Sequence, residues 1–373
     1  MAKPTLEDRI LGGLLGSAVG DALGAPTECM HYKDIEADYG DFQNFEDLAA
    51  SGRQPFHPIG SVTDDTVLSD LLLEAILESE GQMTAHTFAR AWAEKFEAPV
   101  EGPDGRTIVR LDHVHWIERI PFLRNRLREI NKRELGHGEA NATNAIMYIA
   151  PVGLLCAGDP LKAELMAVDV TAVNQHGGPR DVAGGYCAAL AACFLPDAAV
   201  ESIVRTAVEH TRDERHTREI RAMLEVARTS GGLRDFIERY YTEILGPVLP
   251  MQDLQHLGSR RKSGRPTCTS WNSSEVLGPA LAAFLITGGA DARAMMLACA
   301  KIGRDADTIC RVGGGLAGAW LGAGAIPKEW ADYVLERNAW LRIGEKAERL
   351  AALVRRNLER DIRLRQSVLA TWC

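Results

Sequence analysis

Apolar residues recur along this chain three or four positions apart, and few runs alternate with the period of two that a half-buried strand requires. The spacing predicts helices over roughly 5–24, 66–80, 84–96, 116–130, 144–157, 160–173, 179–194, 198–211, 216–229, 233–243, 273–287, 291–302, 307–323 and 328–368, the last broken near Gly344. Between them, 31–62, 97–115, 131–143 and 246–272 are rich in Gly, Pro, Asp and Asn and read as connections. No sequence period repeats, which argues against a solenoid, and no connection has the composition of a disordered linker. The expected architecture is all-α, with residues 1–373 forming a single domain.

Two of these helices carry rows of glycine. Gly12, Gly16, Gly20 and Gly24 fall every four residues on one face of the first, and Gly314, Gly318 and Gly322 do the same near the end of the chain. An interior helical glycine costs roughly 1 kcal/mol against alanine, so a regular row needs a compensating gain. Close approach of two helices along bare ridges supplies one. Both helices are therefore expected at the centre of the domain, with the segments that begin and end them brought close together.

Polar chemistry concentrates at predicted helix starts. Gly60-Ser61-Val62-Thr63-Asp64-Asp65-Thr66 precedes the second predicted helix, and Gly303-Arg304-Asp305-Ala306-Asp307-Thr308 precedes the second glycine-ridged one. Thr and Asp are favoured N-caps, and acidic residues there gain about 0.3–1 kcal/mol from the helix dipole. One cap needs one such residue, whereas each cluster holds several, and adjacent carboxylates repel near a core. A divalent cation would relieve that repulsion. An all-oxygen set without His or Cys suits Mg²⁺, Mn²⁺ or Ca²⁺ rather than zinc. Capping and metal binding both stand on spacing alone. In the last turn of the first helix stands Asp21, a possible partner for a helix cap, and past the helix end Glu28, better placed to face a cleft.

Composition narrows the function classes. The formal net charge of −9 argues against a general nucleic-acid binder, which needs a basic face. Arg260-Arg261-Lys262 and the Arg-rich stretch from Arg355 to Arg365 read as a loop and a solvated helix face. The eight cysteines form no CxxC pairs and lie mostly in apolar helical segments, as in a reducing compartment. No apolar run reaches ~18 residues, and the first residues lack a signal-peptide core. A cytoplasmic protein without membrane contact is expected. Gly313-x-Gly315-x-x-Gly318 satisfies a dinucleotide-binding pattern literally, but it falls inside a predicted helix with no strand before it.

Three motifs in order now matter together: the glycine row from Gly12 to Gly24 with Asp21 and Glu28, then Thr63-Asp64-Asp65-Thr66, then Asp305-Ala306-Asp307-Thr308 leading into a glycine-rich helix. This combination resembles the ADP-ribosylglycohydrolase family, which includes ADP-ribosyl-arginine and ADP-ribosyl-serine hydrolases and the hydrolase that reactivates dinitrogenase reductase. The resemblance runs from about residue 7 to 330, leaving 331–373 as a helical extension. It implies a single-domain orthogonal helical bundle with a binuclear centre of Mg²⁺ or Mn²⁺. By resemblance Thr63, Asp64 and Asp65 supply ligands from one side and Asp305, Asp307 and Thr308 from the other, while Glu28 matches the family's catalytic glutamate.

The implied reaction is hydrolysis of a ribosyl glycosidic bond in an ADP-ribosylated protein or small acceptor. Two cations would grip the ribose hydroxyls and lower the pKa of a water. A carboxylate, Glu28 or Asp64, would stabilise an oxocarbenium-like state or move a proton. Four residues are candidate substrate contacts. Asn144 stands where the family's loop has glycine, with Tyr148 replacing an arginine in the same loop. His176 matches a Thr-His helix start, Trp271 could stack on a ring, and Arg304 replaces a glycine beside the second cluster. The bland alternatives are capping for Asn144, a structural role for His176, packing for Trp271 and carboxylate pairing for Arg304. The departures at Asn144 and Tyr148 motivate a second reading, a glycosidase of a smaller ribosylated metabolite or nucleoside-like compound. A third is a non-enzymatic binding or structural protein, since a lens crystallin also resembles the family.

Overall fold

The computed structural model describes residues 4–53, 55, 57–114, 116–127, 130–139, 141–249 and 271–372. These residues form seventeen α-helices, several short 3₁₀ turns and one two-stranded hairpin. In chain order the helices are α1 (Leu6–Gly24), α2 (Tyr32–Tyr39), α3 (Phe45–Ala50), α4 (Asp64–Glu78), α5 (Ala85–Lys95), α6 (Trp116–Leu127), α7 (Ala150–Leu155), α8 (Pro160–Val170) and α9 (Gly178–Ala192). They continue with α10 (Val200–Glu209), α11 (Glu214–Thr229), α12 (Leu233–Arg239), α13 (Ser273–Ile286), α14 (Ala292–Ile302), α15 (Ala306–Leu321), α16 (Lys328–Arg337) and α17 (Ile343–Trp372).

The two glycine-ridged helices are the axis of the fold. α1 and α15 run antiparallel with backbone against backbone. A methyl group on Gly12 would overlap the Gly318 carbonyl, one on Gly16 the Gly314 carbonyl, and one on Gly20 the Cys310 carbonyl. On Gly24 it would overlap the Ala306 carbonyl. Alanine would raise helix propensity at each position, yet no side chain fits between the two ridges. Both helices are buried almost throughout. Their antiparallel packing sets the end of α1 beside the start of α15, so Glu28 and Asp305 come from adjacent helix termini.

The remaining helices wrap this pair in one continuous apolar core that includes Leu68, Leu72, Phe88, Trp92, Tyr148, Tyr186, Phe284 and Trp330. The break expected near Gly344 lies at 338–342, where Arg342 adopts a left-handed conformation between α16 and α17. Two stretches read as connections contain regular structure. The 31–62 segment holds the short helices α2 and α3. The 97–115 segment holds the antiparallel hairpin β1 (Pro99–Glu101) and β2 (Thr107–Val109), registered Pro99 against Val109. Gly313-x-Gly315-x-x-Gly318 lies within α15 and packs there, with Gly315 against Tyr186 and Ser17. Among the described residues no helix is long and apolar enough to cross a membrane.

Candidate active site

Four elements deliver the acidic residues to one place. At the end of α1 the chain makes a 3₁₀ turn, Ala25–Thr27, with Pro26 near its start, and Glu28 follows. Thr27 anchors the turn by donating its hydroxyl to the carbonyls of Ala300 at 2.7 Å and Gly24 at 3.0 Å. Cys29 and Arg304 then stitch the two segments together: Cys29 N donates to Arg304 O at 2.6 Å, and Arg304 N to Met30 O at 3.0 Å. Glu28 is thereby fixed across from the loop that begins α15. One carboxylate oxygen each from Glu28, Asp305 and Asp307 lies within 4.8 Å of the others.

Asp21 in α1 organises the second side. Fully buried, it accepts the Thr63 amide at 3.1 Å on both oxygens, and the Thr66 amide at 3.2 Å together with the Thr66 hydroxyl. Asp21 thus caps the first turn of α4 from a different helix. Thr63 is the local N-cap, its hydroxyl accepting from the Asp65 amide at 3.3 Å. From α15, buried Arg311 donates to the Thr66 hydroxyl at 2.7 Å and to the Met147 carbonyl. The start of α4 is therefore locked to α1 and α15, which brings Asp65 within electrostatic reach of Asp305 and Asp307.

Capping explains Thr63 but not Asp305. Asp305 occupies the N-cap position of α15 without bonding the helix amides. Its Oδ1 accepts the Thr308 hydroxyl at 3.0 Å, and its Oδ2, like Asp65 Oδ2, is buried with no hydrogen-bond partner. Asp307 accepts the Thr308 amide at 2.9 Å. Burial, followed by the charges of Asp21 and Asp64, pushes Asp65 well above the usual carboxylate range. Asp307 is raised by burial and then by Glu28, Asp65 and Asp305. Burial also raises Asp305, against the hydrogen bonds it makes. The two clusters feel one another directly.

Buried carboxylates carrying orphaned oxygens form a hard donor set of the kind Mg²⁺ and Mn²⁺ take; the neighbouring Cys29 thiol, pushed up by burial and by the acidic charges, donates to Glu28 Oε1 at 3.7 Å. The residues present fit such an ion: Glu28, Asp305 and Asp307 on one side, Asp64 and Asp65 on the other, with Thr63 and Thr308 hydroxyls alongside.

The four expected substrate contacts fare differently. Arg304, 2% exposed, donates from Nε and Nη2, one edge of its guanidinium, to the two carboxylate oxygens of Glu275 in α13. Its φ of 62° is the left-handed geometry that a glycine would adopt freely. The guanidinium is thus committed to a structural ion pair that holds the loop. Asn144 lies buried in a 3₁₀ turn (Thr143–Ala145), where its amide donates to Glu118 and its Oδ1 accepts from Gln175 at 3.2 Å. It caps no helix. Tyr148 is fully buried and donates to Asn174 Oδ1 at 2.8 Å. His176 is half-buried, its Nδ1 at 3.2 Å from the Gly136 carbonyl and its ring 5.7 Å from that of His137. Trp271 is half-buried in left-handed backbone, φ 45°, just before Asn272 caps α13. Thr269 and Ser270, which precede it, lie outside the described residues, as does His115.

Three residues that sequence reasoning passed over belong to this region. Arg311 was legible only as a lone cation in a Gly/Ala helix, one turn after Asp307. Thr143 bears on Asp305, lowering it against the effect of burial. Glu118, a charged side chain almost wholly buried, gave no signal in the sequence.

A fold built on an antiparallel glycine seam, with acidic helix starts meeting at one end, defines an all-helical class of hydrolase. The ADP-ribosylglycohydrolase family profile matches residues 2–362, and the chain belongs to that family. It is 25% identical to the uncharacterized protein YegU of Escherichia coli K12 over 341 residues, 86% of this chain and 89% of that one. An uncharacterized protein of Archaeoglobus fulgidus is 24% identical over 342 residues, covering 89% and 93% of the two chains. Over a shorter stretch of 83 residues, 22% of this chain and 26% of the relative, it is 40% identical to the ADP-ribosyl-[dinitrogen reductase] glycohydrolase of Rhodospirillum rubrum. The fold is shared with a structure titled ADP-ribosylglycohydrolase-related protein complex, with a TM-score of 0.61 at 20% identity, over 93% of this chain and 99% of that one.

Proposed function

We propose that this protein hydrolyses the ribosyl glycosidic bond of an ADP-ribosylated protein or small acceptor, using two divalent cations, Mg²⁺ or Mn²⁺. The observation that carries this reading is the meeting of Glu28, Asp305 and Asp307 with the start of α4, where Asp65 and Asp305 each keep a buried oxygen without a partner. When bound, the cations would supply Lewis acidity and a nucleophile near neutral pH.

The chain's own residues define the rest. Asp64, Asp65, Asp305 and Asp307, with the hydroxyls of Thr63 and Thr308, hold the charge in a fixed, dry site. Asp21 and Arg311 keep α4 from moving away from α15. Glu28, only half-buried, faces the open side and is the group best placed to stabilise positive charge developing at the anomeric carbon. Asp64 is the alternative carboxylate for that role or for moving a proton.

Purified protein with Mg²⁺ should release ADP-ribose from at least one of ADP-ribosyl-arginine and ADP-ribosyl-serine. One finding favours a second reading, a glycosidase of a smaller ribosylated compound. Asn144 and Tyr148 are bound into a buried network with Glu118 and Asn174, so neither side chain is free for a diphosphate. Activity confined to simple ribosides in the same assay would establish that reading in place of the first. Absence of divalent binding by calorimetry would instead favour a non-enzymatic role.

A further inference from the structure

Beyond the acidic cluster, one buried carboxylate is satisfied on a single oxygen. Glu118, in the first turn of α6, is 2% exposed. Its Oε1 accepts the Asn144 amide, and its Oε2 makes no hydrogen bond. Asn144 lies in the turn Thr143–Ala145, whose Thr143 carbonyl accepts the Met147 amide at 3.1 Å; the Met147 carbonyl in turn accepts from Arg311, which also donates to the Thr66 hydroxyl at the start of α4, so this turn ties Glu118 to the acidic end of α4. From the other side Asp64 lies close enough that, after burial itself, it is the main influence raising the Glu118 acid. Glu139 raises it further and itself pairs with Arg124 at 2.6 Å. No cationic side chain among the described residues forms an ion pair with Glu118.

A buried carboxylate with an unused oxygen, set near a second carboxylate, is unfavourable unless positive charge comes between or beside them. An apolar residue or a glutamine would fill the same space without that repulsion. Hydroxyl and amide donors are used elsewhere in this region wherever a carboxylate oxygen needs only a hydrogen bond, as at Asp21 and Asp305. Oε2 of Glu118 has been given none.

We propose that Glu118 is a further carboxylate of the divalent-cation centre, standing on the Asp64 side, where Oε2 faces the bound ion's surroundings and the negative charge tightens its hold. Asn144 then acts as the positioning residue that fixes Oε1 and so aims Oε2. The inference rests on the metal-dependent reading above and adds a residue to it.

The test is a calorimetric titration of Mn²⁺ into the full chain, together with thermal denaturation in chelator and in Mn²⁺, for wild type, E118Q and E118D. Glutamine keeps the shape and the bond to Asn144 but removes the charge. E118Q should weaken at least one Mn²⁺ site by about tenfold or more, as loss of a nearby charge in a poorly screened site requires. In chelator its melting temperature should equal or exceed that of wild type, while the rise produced by Mn²⁺ should shrink. A merely structural glutamate would instead lower both melting temperatures together and leave Mn²⁺ affinity alone. E118D, which keeps the charge but retracts it, should fall between the two.

Mn²⁺ affinity in E118Q within twofold of wild type, with the same Mn²⁺-induced rise, overturns the proposal. Should E118Q not fold, E118D decides: affinity equal to wild type in that variant also overturns it. Failure of wild type itself to bind Mn²⁺ at millimolar concentration removes the metal-dependent reading and this inference with it. Binding by wild type with unaffected variants removes only the role of Glu118.

Discussion

Replacing Asp305 with asparagine should stabilise the protein without metal and destabilise it relative to wild type with metal. Asp305 is 4% exposed; its Oδ1 accepts the Thr308 hydroxyl at 3.0 Å and its Oδ2 has no partner. Asparagine fills the same space and can still accept from Thr308, so the change removes charge and little else. Relieving a buried, unsatisfied charged acceptor is worth about 1–3 kcal/mol. Unfolding entropy of about 2.1 cal/mol/K per residue over 373 residues gives roughly 0.8 kcal/mol per kelvin, so the metal-free melting temperature should rise by about 1–4 °C. With Mg²⁺ at a hundred times its Kd, wild type gains about 2.7 kcal/mol, or about 3 °C, and the variant should gain much less.

The pH dependence of the same pair checks the cause. Asp65, Asp305 and Asp307 are all raised in the folded state, chiefly by burial. A raised folded-state value means that the folded protein binds the extra proton. Their contribution is fully present below the unfolded carboxylate value of about 3.9 and is lost as pH climbs through the raised values. The metal-free advantage of D305N over wild type should therefore be largest at neutral pH and shrink on acidification. Thermal melts in chelator and in Mg²⁺, across that pH range, read both effects. A D305N protein less stable than wild type in chelator, with an undiminished response to Mg²⁺, would refute the reasoning.

Three further outcomes are expected. Asp64→Ala should abolish turnover, and Glu28→Gln should lower kcat by at least about a hundredfold, with circular dichroism spectra matching wild type in both; full activity in either removes that residue from the chemistry. Gly16→Val should cost about 3 kcal/mol or more, because the added carbons meet the Gly314 carbonyl, backbone that cannot rotate aside as the nearby Ile326 side chain could; an unchanged denaturation midpoint would show that the seam can open cheaply. Tyr148→Phe should lose about 1–2 kcal/mol by stranding Asn174 Oδ1, with KM unaltered; a raised KM would instead place the hydroxyl at the substrate.

Long, strongly periodic helices were legible in the sequence, and so was the central seam, because a glycine every fourth residue has few physical explanations. Shorter elements were not. α2 and α3 are eight and six residues long, and each is followed by a glycine or serine that reads as loop chemistry. Local capping holds them as much as their few buried apolar residues do. The hairpin pairs only three residues on each strand, and those are partly exposed, so alternation has nothing to reveal. α7 begins later than expected because Pro151 sets its first turn and a 3₁₀ turn precedes it. Among site residues, the Asp/Thr clusters announced themselves by density. Arg304 could not, since its carboxylate partner Glu275 lies in a distant helix and its left-handed backbone leaves no trace in composition. Buried charges such as Glu118 and Arg311 are invisible for the same reason: burial is a property of the packing around a residue, not of the residue.

The helix termini set a bound on how far the fold alone can tolerate the acidic cluster. α4 and α15 both begin at the site, so their dipoles favour Asp64, Asp65 and Asp307 in the first turns. Each such interaction is worth about 0.3–1 kcal/mol, up to about 2 kcal/mol when partly buried. Buried Arg311 acts to lower Asp65 and donates to the Thr66 hydroxyl, and buried Arg304 acts to lower Asp305 while its guanidinium is itself paired with Glu275. Against these stand six carboxylates, Asp21, Glu28, Asp64, Asp65, Asp305 and Asp307, linked by mutual influence, two with oxygens that no hydrogen bond satisfies. Helix dipoles and these guanidiniums, one already paired with Glu275, do not balance that much buried negative charge, whose ionic forms are penalised by several kcal/mol each. Either protons or divalent cations must make up the difference. These alternatives separate by experiment: proton uptake predicts stability that falls with rising pH whether or not Mg²⁺ is present, whereas cation binding predicts that Mg²⁺ abolishes the slope.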